Sequence, residues 1–100
     1  MLESAVERHL IRRVGSSGWL CFKWVAPGVT GVPDRICIGP EGQVVFVELK
    51  TERGRVSPRQ QYMIDRLRAH GCHVYVAYGV KGVDQVVDAI TAPGGMLNGF

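Results

Sequence analysis

The sequence predicts an α/β domain, a small mixed β-sheet flanked by helices. Segments with helical periodicity alternate with short runs rich in β-branched residues, in the order α, β, β, β, α, β, α. The 100 residues suffice for one hydrophobic core. A content of 46% hydrophobic and 21% charged residues is typical of a folded domain and excludes a chain that is disordered over its whole length. We expect a single domain over residues 1–90 and an irregular tail over residues 91–100, where prolines and glycines cluster.

The first half of the chain predicts a helix and then a hairpin. Residues 2–14 place their apolar side chains on one arc of a helical wheel, and Gly15 follows. Residues 19–25, WLCFKWV, are compatible with a strand or an extended lead-in, and their aromatic residues are more typical of a core or subunit interface than of base stacking. Residues 35–38 and 44–50 flank the turn GPEG and predict an antiparallel hairpin.

The second half predicts a crossover unit. Ser57 and Pro58 are an N-cap and a first helical residue, so a helix begins here and runs to about His70. Residues 74–78 then form a strand, and a strand, a helix and a strand in succession imply parallel pairing with right-handed connection. Apolar residues between positions 83 and 90 suggest a last short helix.

The residues with the clearest chemical potential lie on the predicted hairpin. Alternation along residues 44–50 puts Glu48 and Lys50 on one face, a pattern that a solvated strand end also explains. Asp34 precedes the partner strand, so its carboxylate can meet that of Glu48, although Asp beside Pro is also common in turns. Paired carboxylates suit Mg²⁺ or Mn²⁺. Only the combination predicts a metal site.

The first predicted helix carries two further acids. Glu3 falls within the apolar arc of the helical wheel, where a carboxylate needs a partner, and Glu7 lies toward the edge of the same arc. The alternative is that Glu3, so close to the start of the helix, reaches solvent. Periodicity alone leaves these interpretations open.

Three segments taken together are similar to a known pattern: GVPD at residues 31–34, ELK at 48–50 and SPRQ at 57–60. They resemble the PD-(D/E)xK nucleases and, within them, the VRR-NUC family, over roughly residues 2–80. The resemblance implies a restriction-endonuclease-like core and a DNA endonuclease that uses Mg²⁺ or Mn²⁺.

The resemblance also implies a role for each site residue. Asp34 and Glu48 would bind the metal with the main-chain carbonyl of Leu49, and Lys50 would be the catalytic lysine. Glu3, or alternatively Glu7, would bind water or a second metal. Gln60 would be the helix glutamine that helps position the site.

The net charge of +3 is unevenly distributed. Residues 50–70 hold six basic and two acidic side chains, a local charge of +4, whereas the rest of the chain sums to −1. Of these basic residues, Arg53, Arg55 and Arg59 are the expected contacts to DNA phosphates. Arg66 and Arg68 are better explained as solubilising an exposed helix face.

These observations support two principal hypotheses. The first is a structure-selective endonuclease acting on a four-way (Holliday) junction or other branched DNA as a homodimer, because one site per chain cuts one strand. The second is a non-catalytic nucleic-acid-binding module that uses the basic segment 50–68. A less favoured third is an interaction subunit that docks a partner through its aromatic segment.

Three cysteines without C-x-x-C spacing, and no signal peptide or membrane span, predict a reduced cytoplasmic protein without a membrane partner. A free-standing nuclease of the type that the resemblance implies would suit a bacterial cell or a phage-infected host.

Overall fold

The computed structural model describes residues 2–94 and confirms the predicted order of elements. The helices and strands are α1 (Glu3–Ser16), β1 (Leu20–Lys23), β2 (Arg35–Ile38), β3 (Val44–Lys50), α2 (Pro58–Ala69), β4 (His73–Tyr78) and α3 (Gly79–Thr91). The strands form one mixed sheet in the order β1-β2-β3-β4. Met1 and residues 95–100 lie outside the described part of the chain.

The three strands of the first half form an antiparallel meander. The aromatic segment at residues 19–25, for which a strand or an extended lead-in was open, contains strand β1. Cys21 of β1 lies opposite Cys37 of β2. Strand β2 pairs with β3 so that Arg35 lies opposite Val47. Both strands of this second pair have the bounds predicted from the sequence. The GPEG segment closes them, since the amide of Gly39 donates to the carbonyl of Gln43 at 2.8 Å.

The crossover unit is also confirmed, because β3 and β4 are parallel with Lys50 opposite Tyr78. Helix α2 begins with a capping box: the hydroxyl of Ser57 accepts from the amide of Gln60, and the Gln60 side chain accepts from the amide of Ser57. It ends before Gly71, whose φ of 86° continues the chain away from the helix. The last helix runs to Thr91, one residue into the predicted tail, and residues 95–100 of that tail lie outside the described residues.

The two faces of the sheet are covered unequally. Helices α1 and α3 pack on one face, and their apolar residues form the main core with alternate residues of β3 and β4. Helix α2 lies on the other face, where it buries only Ile64 fully. Much of this second face stays uncovered, since Leu20 is 55% and Phe22 is 52% exposed. Within residues 2–94 no helix has the length and apolarity to cross a membrane.

Candidate active site

Strand β3 delivers two charged side chains to the partly covered face. Val47 and Leu49 enter the main core, so alternation sends Glu48 and Lys50 to the opposite side. Glu48 is only 2% exposed, which excludes the solvated strand end that its pattern also allowed. Its burial needs partners, because a lone carboxylate out of water costs several kcal/mol in proteins.

The side chain of Asp34 is hydrogen-bonded to the backbone of β3 next to Glu48. Its Oδ2 accepts a hydrogen bond of 2.7 Å from the amide of Leu49, the residue after Glu48. Its own carbonyl accepts from the amide of Trp24 at 3.0 Å, which closes the loop between β1 and β2. The Asp34 side chain therefore anchors a distant strand rather than capping a local turn, and it does so at the residue next to Glu48.

Two side chains hold one oxygen of Glu48. The Lys50 Nζ lies 3.3 Å from Oε2, and the Gln60 Nε2 donates to the same oxygen at 3.1 Å. The other end of the Gln60 amide accepts from the backbone amide of Ser57 at 2.9 Å. The capping box thus fixes Gln60, and Gln60 fixes Glu48. The structure brings together Gln60 and the ELK motif, the two segments that the resemblance places at one site.

The environment of Glu48 raises its pKa to about 7. Burial is the largest cause, and the nearby charge of Asp34 adds to it, while Lys50 opposes both. The single ammonium therefore does not compensate fully for two adjacent carboxylates. A bound cation would remove this excess of negative charge.

The donor atoms fit a hard divalent cation. Asp34 and Glu48 each use one oxygen within the protein, and no described residue donates a hydrogen bond to the other oxygen. Within residues 2–94 no three or more His, Cys, Asp and Glu side chains are grouped so that together they could hold a metal ion. Two carboxylates are nevertheless the usual protein contribution to Mg²⁺, which keeps several waters and binds substrate phosphate. The Leu49 carbonyl as a third ligand stays a prediction.

The two acids of α1 have different surroundings. Glu3 is exposed, which agrees with the second of the two open interpretations, that its carboxylate reaches solvent, and its charge still raises the pKa of Glu48. Glu7 is held by Arg35, whose Nη2 and Nε lie 3.1 and 3.2 Å from its Oε2. Glu7 already has a cation as its partner, whereas Glu3 is exposed; which of the two is the first-helix acid stays a prediction.

The basic residues after β3 divide into two groups. Arg53 and Arg55 are exposed on the loop before α2 and form no hydrogen bond or ion pair with described residues. By contrast, the Arg59 Nε donates to Thr30 Oγ1 at 3.0 Å, and its guanidinium lies 5.1 Å from the centre of the Tyr62 ring. The first two are therefore available to phosphate without breaking an internal contact.

The predicted role of Arg68 needs correction. Its Nη2 donates to the carbonyl of Val74 at 2.7 Å, with Nε at 3.3 Å. Arg68 thus attaches α2 to β4 instead of only solubilising the helix. Arg66 keeps an exposed position beside Tyr62, 5.8 Å from the ring centre.

Sequence reasoning did not single out two residues next to the site. Arg35 fixes Glu7, and Tyr78 lies opposite Lys50 with 43% of its surface exposed. Arg35 could have been found from the sequence, because it directly follows the Pro-Asp pair of the predicted site. Tyr78 could be found only from the register of the parallel pair, which the sequence does not reveal.

Comparisons with known proteins identify a family and a relative to which this chain is similar. The family model for the VRR-NUC domain matches residues 20–81. "Putative nuclease p44" of Acyrthosiphon pisum secondary endosymbiont phage 1 is 39% identical over 74 residues, which are 74% of this chain and 80% of the relative.

Two solved structures extend the comparison. A protein described as "VRR_NUC domain" superposes with a TM-score of 0.82 at 32% identity, covering 86% of this chain and 94% of the other. Hjc of Archaeoglobus fulgidus, a Holliday junction resolvase, gives a TM-score of 0.57 at 18% identity, covering 76% of this chain and 62% of its own. The second match concerns the fold alone. Together they confirm the predicted restriction-endonuclease-like fold.

The raised pKa of Glu48 predicts a pH dependence of stability in EDTA. The folded protein binds this proton more tightly than the unfolded chain, so stability is lost as pH rises from the ordinary value of 4.5 through about 7. Glu48→Gln should remove up to about 3 kcal/mol of this loss between pH 5 and 8. Urea denaturation at both pH values measures it. The control Glu41→Gln, at an exposed turn position, should behave as the parent; equal pH dependence in Glu48→Gln would contradict the assignment.

Proposed function

The chain belongs to the VRR-NUC family, and from this premise we propose that it is a divalent-metal-dependent endonuclease that hydrolyses DNA phosphodiester bonds. The observation that carries the proposal is the buried Glu48 beside Asp34, with Lys50 and Gln60 on its carboxylate. This arrangement concentrates negative charge and one ammonium at a single point. Mg²⁺ or Mn²⁺ is the cofactor that its oxygen donors suit.

Each of these side chains has a distinct part in the reaction. Asp34 and Glu48 would hold the cation, which when bound supplies charge to the scissile phosphate and lowers the pKa of a coordinated water. Lys50, with 14% of its side chain exposed, can meet the phosphate and offset charge that develops on its oxygens. Gln60 keeps Glu48 oriented through the capping box. Glu3 would bind a water at the edge of the site.

The arginine loop supplies the substrate contact. Arg53 and Arg55 directly follow the catalytic strand and are exposed, so a phosphate backbone lying along them would pass beside Lys50. Arg59 would support this path mainly by holding Thr30 of the neighbouring loop. The competing hypothesis, a binding module without catalysis, does not explain the buried carboxylates, because uncompensated acids repel phosphate.

The proposed substrate is a four-way junction or other branched DNA. A chain with one site cuts one strand, so paired cuts on a branched substrate need a symmetric homodimer. The solved relative named as a Holliday junction resolvase shares the fold and supports this choice of substrate class. We place the activity in the cytoplasm of a bacterium or a phage-infected host.

The uncovered sheet face is the surface we propose for the dimer. Its side chains are apolar, and they lie on alternate positions of β1, β2 and β3: Leu20, Phe22, Ile36, Ile38, Val44 and Phe46. These six side chains carry no charge and do not attract phosphate, whereas a second copy of the same apolar area would bury them. Contiguous exposed apolar patches on soluble proteins often mark such interfaces.

The same face leads directly into the site. Phe22, Ile36 and Phe46 are register partners, and two positions further along the same faces lie Asp34 and Glu48. Trp24 separates the two regions by packing on Phe46, with ring centres 4.9 Å apart. Trp19 by contrast is buried in the main core. The aromatic segment therefore contributes both to the core and to the proposed interface.

Cleavage of a panel of duplex, single-stranded, flap and four-way-junction DNA tests the nuclease proposal. The parent should cut the junction with Mg²⁺ or Mn²⁺ and not with EDTA. Asp34→Asn and Lys50→Met should slow cleavage at least about 100-fold, because the first removes a charged ligand of the cation and the second removes the ammonium beside the reacting phosphate. Lys23→Met removes an exposed lysine of β1 and should cut at the parental rate. Metal-independent binding without any cleavage would instead support the binding module.

Salt titration of DNA binding tests the arginine loop. Because each phosphate contact releases counterions, Arg53→Ala and Arg55→Ala should each reduce the slope of log affinity against log salt by about 1. Arg66→Ala, which removes an exposed arginine from α2, should leave the slope unchanged. Equal slopes for all three variants and the parent would show that DNA follows another path.

Sedimentation velocity tests the interface. Phe22→Asp puts a charge in the centre of the apolar face and should convert the dimer to a monomer across micromolar concentrations. Ile11→Asp, at a residue of α1 that is 39% exposed and distant from this face, should remain dimeric. A parent that sediments as a monomer, or a Phe22→Asp protein that remains a dimer, would refute the proposed surface.

A further inference from the structure

Two free cysteines face each other across the first pair of strands. Cys21 of β1 and Cys37 of β2 are register partners in the antiparallel ladder. Their sulfur atoms are 3.8 Å apart, and both are thiols. The third cysteine, Cys72, precedes β4 and has no place in this pair. The metal site and the proposed dimer face use neither member of the pair.

The backbone geometry allows the two sulfur atoms to bond. Opposite residues of an antiparallel pair have Cα atoms roughly 4.5–5.5 Å apart, which lies within the range that a disulfide spans. A bond requires the sulfur atoms to approach by roughly 2 Å. Rotation of the side chains can supply this without moving either strand.

The two thiols have unequal access and reactivity. Cys21 is half-buried, and its pKa is lowered by the hydrogen bond from the Cys37 thiol and by the charge of Arg35, against the opposing effects of burial and Glu7. Cys37 is fully buried, and its pKa is raised by the bond with Cys21 and by burial. An oxidant from solvent therefore meets Cys21 first, and Cys37 is the adjacent resolving thiol.

We propose that Cys21 and Cys37 form a dithiol that a small-molecule disulfide, such as oxidised glutathione, converts to an intrachain disulfide between β1 and β2. The Cys21 thiolate attacks one glutathione sulfur, the glutathione disulfide breaks, and one glutathione leaves as a thiolate that takes up a proton. Cys37 then loses its proton, and its sulfur displaces the second glutathione from Cys21. Two protein thiols are oxidised and one glutathione disulfide is reduced to two thiols.

The crosslink would enclose the loop that carries the first metal carboxylate. Residues 24–34 connect β1 to β2, and Asp34 lies three positions before Cys37. Oxidation therefore ties together the two strands from which Asp34 reaches β3. Because this loop is restrained in the unfolded chain as well, the oxidised protein should melt at a temperature several degrees higher.

Thiol trapping with mass spectrometry tests the proposal on the full chain. The reduced protein is incubated with oxidised glutathione, and free thiols are then alkylated. The parent should lose the mass of two hydrogen atoms and carry one alkyl group, on Cys72. Treatment with dithiothreitol before alkylation should give three alkyl groups. Cys72→Ser should still form the disulfide, and the mass of the oxidised protein should be that of a single chain, which excludes a bond between two chains.

Single substitutions separate the two thiols of the pair. Cys37→Ser should accumulate a glutathione adduct on Cys21, because the resolving thiol is gone. Cys21→Ser should leave the buried Cys37 unmodified, and thermal melting establishes that each variant is folded. Alkylation of all three thiols in the treated parent, a disulfide that includes Cys72, or a crosslink between two chains would overturn the proposal. These outcomes are independent of nuclease activity.

Discussion

One hydrogen bond connects the parts of the site: the Leu49 amide donates to the Asp34 carboxylate. It joins the loop before β2 to the strand that carries Glu48 and Lys50, so carboxylates 14 residues apart become neighbours. Other contacts hold both residues of this bond in place. Leu49 is buried in the main core, and the Asp34 carbonyl accepts a hydrogen bond from the amide of Trp24. The core therefore positions the acids, and no flexible surface residue is needed to hold them.

Placing two acids together lowers the stability of the metal-free site. Burial raises the pKa of Glu48, Asp34 raises it further, and Lys50 compensates in part. Gln60 restricts the same carboxylate without adding charge, because its amide is fixed by the start of α2. The result is an oriented carboxylate with unfavourable electrostatics. Such an arrangement is understandable in a site that gains its stability from a cation and a phosphate.

The unequal covering of the sheet separates the functions of its two faces. Helices α1 and α3 bury one face and carry the ion pairs of Arg13 with Asp84 and Asp88 at their contact. Helix α2 covers the other face only beside β4, which leaves room for the site and for the apolar area on β1 and β2. The local charge of +4 lies on the loop and helix next to the site. Substrate contact and subunit contact can thus occupy adjoining regions.

The sequence by itself determined the type and order of the elements, the bounds of β2 and β3, and the shared face of Glu48 and Lys50. These properties are local, because periodicity and capping depend on residues a few positions apart. Only the tertiary structure decided that Glu48 is buried, and that Arg35 holds Glu7 while Glu3 faces solvent. It also decided that Arg68 donates a hydrogen bond to the carbonyl of Val74 in β4. Those outcomes depend on register and on how helices pack across the sheet, which residues distant in sequence establish jointly.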